Sequence, residues 1–166
     1  MGQGKILIVD DETAMRSALR RALRHRDHTI ITASDGEEAL AAFDRNAIGE
    51  VAVAVVDLYM PGMDGVQVLS AIKRRSPQTQ VLMLTGHATI PNAVRAMRQG
   101  ADDFLEKPFV PDVLRERVRT AVRVWSARHI PGTDGEQPGA SKLTGILLRL
   151  GADATPSPNG SPAWRE

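Results

Sequence analysis

Cysteine is absent from this sequence of 166 residues, which excludes disulfide bonds and thiolate metal sites. This absence is compatible with the reducing environment of the cytoplasm. The formal net charge is only +1, and aromatic residues make up 4% of the chain. A nearly neutral chain with few aromatic side chains to stack on bases is not expected to bind DNA.

Long hydrophobic stretches are also missing. The longest apolar run, Val51 to Val56, is far too short to cross a bilayer. Residues 1–5 lead directly into a strand-like pattern, without the apolar core of a signal peptide. We therefore expect a soluble cytoplasmic protein that has no membrane partner.

Four apolar, strand-like runs are each followed by polar residues that suit one type of site. These residues are Asp10 and Asp11 after residues 6–9, Asp57 after residues 51–56, Thr85 after residues 81–84, and Lys107 after residues 104–106. In an open parallel α/β sheet, ligands bind outside the carboxyl ends of the strands. The sequence therefore predicts that these side chains meet at one edge of a sheet.

Amphipathic helix patterns alternate with the strand-like runs from Lys5 to about Arg128, and Thr29 to Ala33 is a further short strand pattern. The expected inner faces of the five helices are Met15, Ala18, Leu19, Ala22 and Leu23; Ala39, Leu40 and Phe43; Val66, Leu69 and Ile72; Ile90, Ala93, Val94 and Met97; and Leu114, Val118, Ala121 and Trp125. Five strands alternating with five helices predict an α/β domain whose parallel sheet is covered on both faces.

Local signals mark several helix ends. Asp35 is predicted to cap the second helix, with Glu38 completing a capping box. Pro91 and Pro111 suit the first turns of the fourth and fifth helices. Gly100 stands where a left-handed cap is expected.

The composition changes after Arg128. We expect a domain over residues 1–128 and a Gly/Pro/Ser-rich tail over residues 129–166. Within the tail, residues 141–150 carry leucine and isoleucine at helical spacing and predict a short amphipathic helix. The tail is too short for a three-helix DNA-binding module.

The loop after the first strand is acidic rather than glycine-rich, which argues against a nucleotide site. Asp10 and Asp11 alone would also suit a helix N-terminus, but Asp57 is expected beside them. Two carboxylates ~4 Å apart repel by about 4 kcal/mol at an effective dielectric constant near 20. The positive charge of a bound Mg²⁺ ion would offset this repulsion. Mg²⁺ also suits such a site, because it prefers a few carboxylates, water and a phosphate oxygen as ligands.

Asp57 ends a strand that is expected to be buried on both faces, so a charge there needs a chemical reason. Aspartate is an acceptor of phosphoryl groups in covalent catalysis. Lys107 would place a positive charge near the phosphoryl oxygens, and Thr85 would offer a hydroxyl donor. Either residue alone is typical of an ordinary surface lysine or strand end, so the combination carries the prediction.

Four segments together resemble a response-regulator receiver domain. They are ILIVDD at 6–11, VVDLYMPGMDG at 55–65, LTGH at 84–87 and FLEKPF at 104–109. The resemblance spans residues 5 to about 127. It implies a flavodoxin-like fold: a doubly wound, five-stranded parallel sheet of order 2-1-3-4-5 with helices on both faces.

The same resemblance implies a phosphorelay function. Asp57 would receive a phosphoryl group from a sensor histidine kinase or a histidine phosphotransfer protein. Mg²⁺ would be bound by Asp10, Asp11, Asp57 and the backbone carbonyl of Tyr59. Within the acid pair, Asp11 would be the more direct ligand and Asp10 would bind through water.

Residues on the last two strands would contact and sense the phosphoryl group, again by resemblance. Thr85 and Lys107 would bind it, and the Lys107-Pro108 bond is expected to be cis. Thr85 would move inward, and Phe104 would rotate into the vacated space. This change would repack the surface of the fourth helix, fifth strand and fifth helix for a downstream protein target or a homodimer.

Two bulky neighbours of the site, Tyr59 and His87, occupy positions that tune loss of the phosphoryl group in this family. We therefore expect slower autodephosphorylation than in a relative that has small residues at these two positions. Arginines are frequent on the first and last helices, where they are typical of a solvated helix face or of a patch for a kinase partner. They are Arg16, Arg20, Arg21 and Arg24, and Arg115, Arg117, Arg119 and Arg123.

Three other interpretations remain open beside a stand-alone switch, which would not be an enzyme. The chain could be a transcription regulator whose output domain is missing or degenerate, or a receiver from a hybrid kinase. It could also be a Mg²⁺-dependent aspartyl-phosphate phosphatase of the haloacid-dehalogenase type. Those phosphatases require an acid two residues after the nucleophile, where this chain has Tyr59.

Overall fold

Strands and helices alternate along the described part of the chain, which comprises residues 4–45, 50–86 and 89–128 of a computed structural model. The strands are β1 Lys5–Val9, β2 Ile30–Ala33, β3 Val51–Asp57, β4 Gln80–Thr85 and β5 Asp103–Glu106; the helices are α1 Thr13–Leu23, α2 Gly36–Arg45, α3 Gly65–Arg75, α4 Ile90–Arg98 and α5 Pro111–Arg128. The predicted helix at 141–150 and the rest of the tail lie outside the described residues.

The five strands form one parallel sheet of order β2-β1-β3-β4-β5. This confirms the predicted doubly wound fold. Strands β3 and β4 are buried along their whole length, as their continuous apolar composition predicts. Helices α2, α3 and α4 cover one face of the sheet, and α1 and α5 cover the other.

The start of α2 differs in detail from the predicted capping box. The Asp35 carboxylate accepts from the backbone N–H of Glu38 at 2.8 Å, as expected. The Glu38 carboxylate, however, accepts from both the backbone N–H and the hydroxyl of Ser34, each at 2.7 Å. Two hydrogen bonds from Ser34 to the Glu38 carboxylate are more favourable than the single bond from the backbone N–H of Asp35 that a capping box would provide.

The inner face of α4 also differs from the prediction. Ile90 is 42% exposed, whereas Ala93 and Ala96 are buried. Ile90 begins the helix beyond the carboxyl end of β4, so the sheet lies beneath the later turns only. The small alanine side chains let α4 approach the sheet. The helix ends at Arg98, and Gly100 follows the C-cap residue with a φ of 96°, which confirms the predicted left-handed cap.

In the described part of the chain, none of the helices combines the length and apolar composition that crossing a membrane requires.

Candidate functional site

Three acidic side chains meet at the carboxyl edge of the sheet. Asp10 and Asp11 follow β1 directly, and Asp57 is the last residue of the neighbouring strand β3. One carboxylate oxygen from each of the three lies within 4.8 Å of the others. Asp10 and Asp57 are buried, whereas Asp11 is exposed. The structure therefore brings together the acids that the sequence selects.

Lys107 lies between two of these acids. Its Nζ is 2.7 Å from Oδ2 of Asp10 and 3.2 Å from Oδ1 of Asp57. The backbone N–H of Lys107 donates to the carbonyl oxygen of Thr85 at 2.7 Å, which fixes the start of the β5–α5 loop against the end of β4. The Lys107-Pro108 peptide bond is cis, as predicted.

The electrostatics of the site reflect an excess of negative charge. Burial raises the pKa of Asp57 above its ordinary value; the Lys107 ammonium opposes this rise, and the nearby Asp10 and Asp11 charges add to it. Burial alone lowers the pKa of Lys107, but its hydrogen bond to Asp10 and the charge of Asp57 outweigh burial and raise that pKa. One ammonium therefore does not balance three carboxylates.

This donor set fits a Mg²⁺ ion. Carboxylate oxygens are the hard ligands that Mg²⁺ prefers, and the exposed side of the cluster leaves room for the waters that the ion retains. Both oxygens of Asp10 are already engaged, because Oδ1 accepts from the backbone N–H of Glu12 at 2.9 Å and Oδ2 accepts from Lys107. Asp11 and Asp57 offer the more accessible oxygens.

Thr85 and Phe104 lie on the same face of the sheet. Thr85 ends β4 with its side chain fully buried. In the β4–β5 register Thr85 pairs with Glu106 and Met83 pairs with Phe104, so Thr85 and Phe104 are diagonal neighbours. Phe104 is itself buried, in the apolar cluster beneath α4.

Tyr59 lies at the rim of the site, two residues after Asp57, and is 53% exposed. Its hydroxyl accepts a 2.6 Å hydrogen bond from the side-chain amide of Asn92 in the first turn of α4. Sequence reasoning selected Tyr59 but missed Asn92, because nothing in the helical pattern of α4 marks this contact. His87, the other predicted tuning residue, lies outside the described residues.

A family model described as the response regulator receiver domain matches residues 6–119. The chain belongs to this family. Receiver domains are parts of two-component response regulators and act mostly as signalling switches rather than as conventional enzymes. Phosphorylation on an aspartate is general for them.

Curated relatives of this receiver domain are longer regulators. Transcriptional regulatory protein TcrA of Mycobacterium tuberculosis is 40% identical over 119 residues, which cover 72% of this chain and 46% of that protein. Transcriptional regulatory protein FixJ of Bradyrhizobium diazoefficiens is 37% identical over 121 residues, covering 73% of this chain and 58% of that protein. The chain spans about half the length of these two relatives.

Solved structures agree with the fold of this receiver domain. A CheY-like receiver domain protein from Methanospirillum hungatei aligns with a TM-score of 0.70 at 27% identity, covering 75% of this chain and 98% of that one. The receiver domain of NtrX from Brucella abortus aligns with a TM-score of 0.65 at 37% identity, covering 71% and 98%.

One contact at the receiver's acidic edge was not anticipated. The sequence places Arg16 among the arginines of a solvated helix face or a partner patch. In the structure its guanidinium instead turns back onto the loop that carries Asp10 and Asp11. The spacing of five residues from Asp11 was visible in the sequence, but spacing alone does not distinguish this contact from a solvated arginine.

Proposed function

We propose that this receiver domain is a phosphorylation-activated response regulator, in which Asp57 accepts a phosphoryl group from a sensor histidine kinase or a histidine phosphotransfer protein. The position of Asp57 carries the proposal. This residue is only 6% exposed and ends a central strand, and its carboxylate lies beside the Lys107 ammonium and two further acids.

In the proposed reaction, a carboxylate oxygen of Asp57 attacks the phosphorus of a phosphohistidine. The new O–P bond forms as the P–N bond breaks, and the departing imidazole nitrogen keeps the electron pair. The ammonium group of Lys107 would lie close to the phosphoryl oxygens and neutralise part of their negative charge. The Thr85 hydroxyl would donate a hydrogen bond to one of these oxygens. These groups act by positioning and charge neutralisation, which is most of what phosphoryl transfer requires.

Mg²⁺ is the proposed cofactor and would supply further neutralisation of charge on the phosphoryl oxygens. We assign direct ligation to Asp11, Asp57 and the backbone carbonyl of Tyr59, and ligation through water to Asp10. The engagement of both Asp10 oxygens by Glu12 and Lys107 supports this division. The raised pKa of Asp57 supports the need for a cation, because burial disfavours its charged form.

We infer that the signal leaves the site through Thr85 and Phe104. A phosphoryl group on Asp57 would draw the Thr85 hydroxyl toward it. Because Phe104 is already buried beside Thr85, the expected change is a repacking of this pair rather than the burial of an exposed ring. The repacked surface of α4, β5 and α5 would then bind a downstream protein or a second copy of the chain.

The names of the curated relatives favour a second candidate function. Several of them are transcriptional regulators, and the chain matches only part of each. The receiver could therefore belong to a transcription regulator whose output region is missing or degenerate. Binding of DNA by the intact chain in a gel-shift assay would favour this candidate over a stand-alone switch.

The proposal is tested by incubating the chain with acetyl phosphate and Mg²⁺ and measuring the intact mass. Wild type should gain the mass of one phosphoryl group. Asp57→Asn should gain none, and EDTA should suppress the gain in wild type. An equal gain in wild type and Asp57→Asn would reject the assignment of the acceptor.

A further inference from the structure

Arg16 makes three contacts with the acidic edge through one side chain. Its Nη1 donates to the carbonyl oxygens of Asp10, at 2.7 Å, and Asp11, at 2.9 Å. Its Nη2 donates to the hydroxyl of Thr13 at 3.0 Å. The guanidinium therefore holds the backbone of the two acids, while the Asp10 carboxylate extends to Lys107.

The position of Arg16 in α1 is electrostatically unfavourable. It is the fourth residue of the helix, and a cation near a helix N-terminus opposes the helix dipole. The first turn of α1 contains no acid, and Glu12 at the N-cap makes no side-chain capping bond. The contacts with the acidic loop help to offset the cost of a positive charge at this end of the helix. The charge of Glu38, whose pKa is lowered by hydrogen bonds from Ser34 and also by Arg16, contributes as well.

The loop of residues 10–12 has few other restraints on its carbonyl groups. The carbonyl of Glu12 accepts the helical hydrogen bond from the N–H of Arg16 at 3.0 Å. The carbonyls of Asp10 and Asp11 precede the helix and follow the strand, so neither element's regular hydrogen bonds include them. Arg16 supplies both with a donor of fixed, planar geometry.

We propose that Arg16 is a positioning residue for the Mg²⁺ site. It fixes the backbone of Asp10 and Asp11 so that their carboxylates converge with Asp57, without itself touching the ion or the phosphoryl group. This inference rests on the proposed function. A positioning role and a purely electrostatic role predict opposite effects of removing Arg16 on Mg²⁺ affinity. Loss of a nearby positive charge should by itself strengthen cation binding. Loss of the restraint on the loop should weaken it.

The test is the dissociation constant of Mg²⁺ alone, measured by isothermal titration calorimetry on the full chain. Partners that orient metal ligands typically change affinity by about 10- to 100-fold when removed. We therefore expect Arg16→Ala to bind Mg²⁺ at least about tenfold more weakly than wild type. Arg16→Lys, which keeps the charge but loses the planar fork, should lie between the two.

Arg20→Ala is the matched control, because Arg20 lies one turn further along α1 and is exposed. It removes the same charge from the same helix and should not weaken Mg²⁺ binding. Urea unfolding in EDTA shows whether each variant is folded. With acetyl phosphate, Arg16→Ala should need a correspondingly higher Mg²⁺ concentration for half-maximal phosphorylation, while the rate at saturating Mg²⁺ stays unchanged.

The outcomes separate this inference from the function on which it rests. If wild type binds Mg²⁺ and Arg16→Ala binds it equally well or more tightly, the positioning role is overturned and the function stands. If Arg16→Ala does not fold, Arg16→Lys decides, and wild-type affinity in that variant overturns the role. If wild type binds Mg²⁺ no better than Asp57→Asn, both the metal site and the role of Arg16 are rejected.

Discussion

At the scale of single residues, the site is defined by unequal charge. Lys107 contacts Asp10 and Asp57, and Asp11 completes the cluster from its exposed side. Burial prevents water from screening these charges fully, so the excess of carboxylate is costly until a cation binds. The charge imbalance that makes the site unstable alone is the feature that favours a bound divalent cation.

The raised pKa of Asp57 predicts how stability depends on pH. The folded protein holds the proton of the Asp57 carboxyl group more tightly than the unfolded chain does. The protonated carboxyl group therefore contributes to the free energy of unfolding at low pH. This contribution is lost as the pH rises from the ordinary aspartate value of 3.8 through the raised pKa. In EDTA at neutral pH, Asp57→Asn should therefore melt at a higher temperature than wild type, and the difference should shrink at low pH.

Glu37→Gln is the control for that measurement, because Glu37 is an exposed carboxylate on α2. It should not raise the melting temperature. A ligand that binds only the folded state raises the stability of that state. Mg²⁺ should therefore stabilise wild type more than Asp57→Asn, which lacks one of the proposed carboxylate ligands. A lower melting temperature for Asp57→Asn in EDTA at neutral pH would contradict the charge imbalance.

The position of Tyr59 leads to a prediction about how long a phosphoryl group remains on Asp57. Its ring lies at the rim of the site and is held by Asn92, where it should hinder the approach of water to the acyl phosphate. Tyr59→Ala should shorten the phosphoryl half-life, measured by the decay of phosphorylated protein after the donor is removed. Tyr59→Phe keeps the ring, so its phosphoryl group should be lost more slowly than that of Tyr59→Ala. Equal phosphoryl half-lives in wild type and both variants would contradict this role of Tyr59.

At the scale of elements, the loop between β3 and α3 closes tightly over the end of β3. The N–H of Gly65 donates to the carbonyl oxygen of Leu58 at 3.0 Å, and Asp64 caps α3 in a reciprocal capping box with Gln67. A Cβ atom at residue 65 would lie 2.1 Å from the carbonyl oxygen of Asp57. Glycine is therefore required for α3 to begin this close to Asp57, the proposed phosphoacceptor.

This close approach predicts that Gly65→Ala is strongly destabilising. The added methyl group must displace backbone rather than a flexible side chain, which should lower the free energy of unfolding by about 3 kcal/mol. Gly86→Ala is the matched control, because a Cβ there meets no atom within 4 Å; it should change stability by about 0.5 kcal/mol or less. Urea unfolding of both variants provides the comparison, and equal stabilities would contradict this account of the loop.

The elements also show what sequence patterns could and could not predict. The β3 and β4 runs are continuous and apolar, so their burial and their parallel pairing followed from composition. Ile90 fits the apolar spacing of α4 but is exposed, because spacing does not say how far the sheet extends beneath a helix. Boundaries and ends were therefore less predictable than the elements themselves.

At the scale of the whole molecule, the convergence of Asp10, Asp57 and Lys107 was predictable from one rule. Parallel strands present their carboxyl ends at the same edge, so residues distant in sequence meet there. The contacts of Arg16 and Asn92 were not predictable, because each joins a helical side chain to a loop whose path no periodicity encodes. The sequence thus locates the site, and side-chain geometry shows what supports it.

The proposed domain boundary gives a prediction for the intact chain. We propose that residues 1–128 form the phosphoacceptor unit and that residues 129–166 form a separate tail. A chain ending at residue 128 should retain the urea midpoint, the oligomeric state and the phosphorylation rate of the full chain. A change in any of these would instead indicate that the tail docks on the receiver or on a second copy.

The central claim is that one buried carboxylate carries the phosphoryl group. The most direct measurement is reduction of the acetyl-phosphate-treated chain with borohydride, which converts an aspartyl phosphate to homoserine, followed by peptide mass spectrometry. We predict homoserine at residue 57 in wild type, dependent on Mg²⁺. Homoserine at residue 10 or 11 instead, or at no aspartate, would contradict the account.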